Sequence, residues 1–167
     1  VEIVTDVYRG GALATGYQIV AATLPADPNV QNVKGAKKIF WKNLMAGRVD
    51  HVILPLGREL FATDQIEYIT PQGVFMDALM RELSRSLGPR FVFQTSDTVS
   101  VSQALGGQYF AIEEAKADIV GFHSVRYFVE KGIVPKEMEH IHAVSALASI
   151  FSTLRFGTSD ARGKACI

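Results

Sequence analysis

The stretch F-M-D-A-L-M-R-E-L-S-R-S-L-G-P, residues 75–89, decides the fold. Apolar side chains recur along it at every fourth position, which predicts a helix over residues 72–88. The final Gly-Pro pair supplies the stop, because glycine tolerates the conformation that ends a helix and proline cannot continue one. Polar side chains recur with the same spacing at Asp77, Arg81 and Arg85, so we expect them on the opposite side. The apolar line consists of Phe75, Leu79, Leu83 and Leu87.

Arg81, Glu82 and Arg85 form the pattern R-E-x-x-R within this helix. With histidine at the two arginine positions it would be H-E-x-x-H, in which two imidazoles bind zinc and the glutamate activates water. Arginine stays protonated and has no lone pair to offer a metal. The pattern therefore predicts charge pairing at these positions, with no bound metal and no cofactor.

Composition limits the classes of protein that the chain can be. Its 167 residues are 48% hydrophobic and 20% charged, as expected for one globular domain. A net charge of zero argues against nucleic acid and against an anionic membrane surface as partners. No apolar run approaches the roughly 18 residues that span a bilayer. A single cysteine fits a reducing compartment, so we expect a cytoplasmic protein. The missing initiator Met suggests a processed or excised piece.

The first third of the chain is predicted to contain a β-hairpin followed by helices. Residues 1–25 form the hairpin, with strands over 2–9 and 17–24 on either side of a Gly-Gly break. Helical spacing then covers 30–45, and 49–61 is expected to be two short helical pieces around a proline. The lysines of the first helix are interpreted as a solvated face rather than an anion site. They are Lys34, Lys37, Lys38 and Lys42.

The second half is predicted to be mainly helical. Residues 90–107 are polar and β-branched, which indicates a loop with at most a short strand. An acidic helix follows over 109–131, and a helix over 135–156 is small and apolar nearly all round, which predicts burial on most sides. The expected class is therefore mainly α (α+β), in one domain over residues 1–167.

The acidic helix places two carboxylates among its apolar side chains. On a helical wheel, Glu114 and Asp118 share a sector with Phe110, Ala117, Gly121 and Val125. An ionised carboxylate that faces a core costs several kcal/mol unless it is paired. Either these two acids point to water after all, or they pair with the arginines of the R-E-x-x-R helix.

Several motifs, taken in order, resemble the catalytic region of dipeptidyl-peptidase III-like zinc peptidases. They are V-Y-R-G-G, K-G-A-K-K, the helix ending L-G-P, I-E-E-A-K-A-D-I-V-G and L-R-F-G-T-S-D-A-R-G-K. The likeness is greatest to the branch that includes the peptidase-like part of some plant Nudix hydrolases. It covers nearly the whole chain, and its most specific pieces are residues 113–121 and 155–157. The resemblance implies a zincin-like helical catalytic core.

The resemblance also implies a role for each position of the site. Arg81 and Arg85 stand where the family has its two zinc-binding histidines, Glu82 where it has the general base, and Glu114 where it has the third zinc ligand. A further family histidine corresponds to Arg162 in D-A-R-G-K. Because arginine cannot ligate zinc, we do not expect zinc-dependent peptide hydrolysis.

Three functional hypotheses follow from these residues. The first is a cofactor-independent acid/base enzyme of isomerase, cyclase or lyase type, acting on a small apolar molecule. Glu82 or Asp118 would move the proton, while Arg81, Arg85 or Arg162 would hold a carboxylate or stabilise a developing negative charge. The second is an inactive pseudo-peptidase that acts as a binding or interaction module, for a small-molecule or peptide-like ligand or for a partner protein. The third is a fragment of a larger metallopeptidase, and a shortened relative would be expected to form a homo-oligomer.

Overall fold

The computed structural model describes residues 1–15, 18–25, 27–93 and 99–167, and within these ranges the chain is mainly helical, as predicted. Its strands are β1 (Glu2–Val4), β2 (Ala21–Leu24) and β3 (Lys37–Trp41). Its α-helices are α1 (Pro28–Lys34), α2 (Lys42–Arg48), α3 (Leu54–Leu60), α4 (Pro71–Ser84), α5 (Val101–Leu105), α6 (Tyr109–Glu130), α7 (Glu137–Leu154) and α8 (Ala161–Ala165). None of these helices is long and apolar enough to cross a membrane.

The three strands form one small sheet in the order β1-β3-β2. β1 runs parallel to β3 and β2 runs antiparallel to it, with Ile3 and Ala21 both opposite Phe40. The predicted N-terminal hairpin is therefore wrong in its pairing, because the first two strands bond to β3 and not to each other. Tyr17, which the prediction placed in the second strand, lies outside the described residues.

The predicted helix over residues 30–45 is interrupted by β3. Helix α1 ends at Lys34, and Gly35 follows with a φ of +78°, a conformation that favours glycine and ends the helix. Phe40 is fully buried at the centre of the sheet. Local helical spacing was misleading here because pairing with two distant strands, together with burial of this aromatic ring, decides the conformation.

Residues 49–60 are helical, but they continue the helical backbone of α2 without a break instead of forming two separate pieces around Pro55. A single π-helical turn, Val49–Ile53, joins α2 to α3. Pro55, which has no backbone N–H to donate, follows this π-helical turn in the first turn of α3. Val49 and Ile53 are buried in the main core cluster, so this irregular segment contributes apolar packing beneath the sheet.

Helix α4 ends earlier than its sequence predicts, and its buried side is different. It begins at Pro71 after the capping residue Thr70, whose side chain accepts a hydrogen bond from the Gly73 N–H at 3.0 Å. It ends at Ser84 rather than near residue 88. Leu83 and Leu87, which the sequence places on the apolar line of the helix, are 36% and 55% exposed, whereas Arg81 is 8% exposed. The last turn thus presents its charged side to the protein interior.

The polar segment between α4 and α6 falls partly outside the described residues, which omit 94–98. On either side of this gap, Phe91 and Ser100 form an isolated antiparallel bridge. Ser100 then caps the short helix α5 in a reciprocal arrangement with Gln103. The predicted loop therefore contains one short helix in its described part.

Helices α4 and α6 pack side by side at very short range because α6 has a glycine at the contact. A Cβ atom at position 121 would lie 3.1 Å from the backbone nitrogen of Arg81. Ala117 and Val125 flank this glycine and are almost fully buried. Phe110, predicted to share this sector, is instead 69% exposed.

Helix α7 packs against the N-terminal end of α4 through small polar side chains. The Ser145 hydroxyl donates to the Tyr68 carbonyl at 2.7 Å and accepts from the Thr70 N–H at 3.1 Å. Most of one side of the helix is buried, but Leu147 and Phe151 are 45% and 37% exposed. Helix α7 is therefore buried along one side and partly exposed along the other.

Helix α8 returns the chain to the α4–α6 pair. The Asp160 side chain caps it by accepting from the backbone N–H groups of Arg162 and Gly163, at 3.0 and 3.2 Å. Gly163 is fixed against the backbone of Gly157, where a side chain would overlap the carbonyl oxygen. These contacts set the direction in which Arg162 leaves the backbone.

Candidate functional site

The centre of the candidate site is the guanidinium group of Arg81. Its Nη2 donates to Oε2 of Glu114 at 2.7 Å, and its Nε donates to Oδ1 of Asp118. Both acids come from successive turns of α6, and the Gly121 contact brings their helix against α4. One arginine thus bridges two carboxylates in the protein interior, where hydrogen-bonded charge pairs are strongest.

Arg85 extends the network by one turn of α4. Its Nη2 donates to the second oxygen of Glu114 at 2.5 Å, and its Nε donates to Oε1 of Glu82 at 3.1 Å. Burial alone would lower the pKa of Arg85, but the hydrogen bond and charge of Glu114, aided by Glu82, raise it. Glu114 therefore has both oxygens bound to arginine.

The second oxygen of Glu82 faces the sheet. It lies 3.5 Å from the Thr23 hydroxyl of β2, which donates to it, and 4.0 Å from the ammonium group of Lys38 in β3. Lys38 in turn donates to the Thr23 hydroxyl at 3.3 Å. Burial lowers the pKa of Lys38, the charge of Glu82 opposes that change, and Arg85 adds to it.

The prediction that Lys38 belongs to a solvated lysine face is wrong. Its side chain is only 15% exposed, because the central strand of the sheet turns it towards Glu82. A helical interpretation of residues 30–45 placed it among exposed lysines. In a strand, successive side chains of K-K-I-F-W point to opposite faces. This alternation is the one signal in the sequence that could have assigned Lys38 and Lys37 to different faces.

Arg162 approaches the network from α8. Its Nη2 lies 3.8 Å from Oδ2 of Asp77 and 3.8 Å from Oδ1 of Asp118, distances too long for hydrogen bonds. Burial lowers the pKa of Arg162, as does the charge of Arg81, while Asp77 and Asp118 oppose the change. The structure therefore brings together all six residues singled out in the sequence, with Asp118 between two arginines.

Two further residues complete the buried polar cluster, and the sequence did not single them out for this site. Asp77 of α4 contacts Arg162 with one oxygen and lies 3.8 Å from Nε2 of His142 with the other. His142 is 1% exposed and packs against the ring of Phe122. The nearby His140 faces the opposite way, against Tyr68, as the divergence of side chains two residues apart on a helix requires.

A cavity of about 170 Å³ opens beside the network, between α4, α7 and the sheet. Its charged lining comprises four arginines and two carboxylates, and the remaining lining is apolar or hydroxyl-bearing. The charged residues are Arg48, Arg81, Arg155, Arg162, Asp77 and Glu82. Any small ligand in this cavity would therefore meet an excess of positive charge.

The residues of the network do not fit a zinc ion. Zinc takes three or four nitrogen, sulfur or carboxylate ligands, and the groups between these carboxylates are guanidiniums, which have no free lone pair. Among the described residues, no three His, Cys, Asp or Glu side chains lie close enough together to hold a metal ion. The negative charge of Glu82, Glu114 and Asp118 is instead neutralised by Arg81 and Arg85.

Comparison with known proteins places the fold among peptidases. No protein-family model matches the chain. It is 28% identical over 165 residues to Nudix hydrolase 3 of Arabidopsis thaliana, covering 98% of this chain and 21% of that protein. The structure of dipeptidyl-peptidase III from Caldithrix abyssi matches with a TM-score of 0.91 and 34% identity, over 98% of this chain and 31% of the other. Dipeptidyl-peptidase III from Corallococcus sp. strain EGB gives 0.85 and 33%, over 98% and 30%.

These likenesses make the chain a peptidase-like region built on a helical core. It has the fold of the corresponding part of dipeptidyl-peptidase III. The chain spans about a third of the length of the solved relatives and about a fifth of the curated one.

Replacing Arg81 by methionine tests how much the network contributes to stability. Arg81→Met keeps the length of the side chain but leaves Glu114 and Asp118 without their shared partner in the interior. We expect the free energy of unfolding, measured by urea denaturation, to fall by about 3 kcal/mol or more. The control is Arg126→Met, which breaks an exposed pair with Glu130 and should cost less than about 1 kcal/mol. Equal losses in the two variants would contradict the account.

Proposed function

We propose that this chain is a peptidase-like region that binds a small-molecule or peptide-like ligand without zinc-dependent hydrolysis. The observation that supports the proposal is the Arg81 guanidinium bound between Glu114 and Asp118. By the resemblance described above, Arg81 and Arg85 occupy the two histidine positions of H-E-x-x-H, so the positive charge at the centre of the site comes from arginine.

The physical argument concerns charge. Glu82, Glu114 and Asp118 are mostly buried carboxylates, and each needs a cation within a few ångströms. A zinc ion would meet that need and also activate water. A guanidinium meets it through directed hydrogen bonds and supplies no activated water. The neighbouring cavity remains available to a ligand.

Metal analysis of the purified chain, with and without added zinc, tests this proposal. We expect less than stoichiometric zinc in the wild type and no release of dipeptides from test peptides in either condition. The double variant Arg81→His/Arg85→His should gain stoichiometric zinc, because two imidazoles and Glu114 would supply three ligands. Arg126→His serves as the control for adding an exposed imidazole.

Two results would contradict this proposal. One zinc per wild-type chain would show that some other ligand set holds the metal. Failure of the double variant to gain zinc, with its fold intact by circular dichroism, would show that residues 81 and 85 do not correspond to the metal-binding positions.

A second candidate is acid/base catalysis, and one observation favours it. Lys38, Thr23 and Glu82 form a chain of polar contacts, and burial lowers the pKa of Lys38. A lysine with a lowered pKa beside a carboxylate can accept and return a proton. Such a pair would suit an isomerase, cyclase or lyase. Glu82 and Asp118 are each bound by an arginine, but the second oxygen of Glu82 also faces Thr23 and Lys38, so Glu82 is the better candidate.

The pKa of Lys38, measured by NMR of its side chain, tests this candidate. We expect a value below the 10.5 of a free lysine side chain. In Glu82→Gln, the carboxylate charge that raises the pKa is gone, so the pKa should fall further. A wild-type value at or above 10.5, or a rise in the variant, would remove the support for acid/base chemistry at this pair.

A further inference from the structure

Lys38 borders a second, larger opening. This groove has a volume of about 1060 Å³ and lies between β2, β3, α5 and the first turns of α6. Thr23, which accepts a hydrogen bond from the Lys38 ammonium group, lines the same groove, and so does Arg85. The Lys38 side chain is 15% exposed. The ammonium end of Lys38 is therefore within reach of a molecule in the groove.

The sheet holds this ammonium group beside a proton acceptor. Thr23 is directly opposite Lys38 in the β2–β3 pair, so the two side chains leave the sheet on the same face. Lys38 donates to the Thr23 hydroxyl at 3.3 Å, and that hydroxyl donates to Oε2 of Glu82 at 3.5 Å. A proton can therefore pass between Lys38 and Glu82 through one hydroxyl group.

The preceding residue, Lys37, has different surroundings and serves as a built-in comparison. It is 69% exposed and donates to Glu2 of β1 at 2.5 Å. For Lys38, burial lowers the pKa, the charge of Glu82 opposes that change, and the charge of Arg85 adds to it. A lysine with a lowered pKa holds more neutral amine at neutral pH, and the neutral amine is the nucleophilic form.

We propose that Lys38 is the nucleophile of a Schiff-base site for a small aldehyde or ketone bound in this groove. The neutral amine attacks the carbonyl carbon, and an N–C bond forms as the carbonyl π electrons move to oxygen. The two amine hydrogens then leave with that oxygen as water, and a C=N bond remains. Glu82 accepts and returns protons through the Thr23 hydroxyl during these steps.

The groove also suits the remainder of such a molecule. Leu87, Phe91 and Phe110 line it with apolar side chains. The inference rests on the acid/base candidate described above, because it gives the Lys38–Glu82 pair a substrate class. It does not depend on the zinc experiment.

Reductive trapping of the 167-residue chain with propanal and sodium cyanoborohydride tests this inference. Hydride reduces each imine to a stable secondary amine, so mass spectrometry of peptides shows which lysines formed one. At neutral pH we expect Lys38 to be labelled at least about fivefold faster than Lys37, although Lys37 is more exposed. This ratio should fall above about pH 10, where an ordinary exposed lysine is also neutral.

Two controls show whether the preference belongs to the folded site. In urea at a concentration that unfolds the chain, Lys38 and Lys37 should be labelled at similar rates. Lys38→Arg keeps a positive charge beside Glu82 but has no nucleophilic amine, so the rapid label should disappear while Lys37 keeps its rate. Labelling of Lys38 no faster than that of Lys37 in the folded chain, or an unchanged preference in urea, would overturn the inference.

The outcome can be separated from that of the pKa measurement. A Lys38 pKa at or above 10.5 would remove the acid/base candidate and this inference with it. A lowered pKa without preferential labelling of Lys38 would overturn the Schiff-base site alone.

Discussion

The bridge from Arg81 to Glu114 and Asp118 is the interaction on which the rest of the site depends. It neutralises two carboxylates that α6 directs into the protein, and it does so at the contact between the two main helices. Without a cation at this point, the helices could approach only by burying unpaired charge, at a cost of several kcal/mol. The same ion pairs therefore permit the close packing of α4 on α6 and neutralise the charge of the site.

The fold supports that bridge from several directions. Gly121 removes the side chain that would keep α6 away from the backbone of Arg81, and the sheet brings Lys38 to the far oxygen of Glu82. Helix α8 adds Arg162 with its backbone fixed by a cap and a glycine contact. The result is a pocket with more positive than negative side chains, beside a network whose own charges are paired.

Parts of this site could be predicted from the sequence, because they depend on local periodicity. The spacing of Glu114 and Asp118 within an apolar sector indicated buried acids, and the spacing of Arg81 and Arg85 indicated their partners. The role of Arg162 came only from resemblance, since no local pattern connects residue 162 to α4.

The sheet could not be predicted in this way, because its strands are joined by pairing between distant segments rather than by a hairpin. Lys38 was misassigned for the same reason, and Asp77 and His142 became recognisable only when α4 and α7 were seen in contact. Leu83 and Leu87 illustrate a second kind of error. Their apolar side chains remain partly exposed, because the arginines of α4 turn into the protein to meet the carboxylates of α6.

A double-mutant cycle between Arg81 and Glu114 tests the central claim most directly. Unfolding free energies of the wild type, Arg81→Met, Glu114→Gln and the double variant give the coupling between the two side chains. Because the pair is mostly buried and hydrogen-bonded, we expect a coupling of about 2 kcal/mol or more. A coupling below about 0.5 kcal/mol, within the range of additive and independent sites, would contradict the claim that this bridge organises the site.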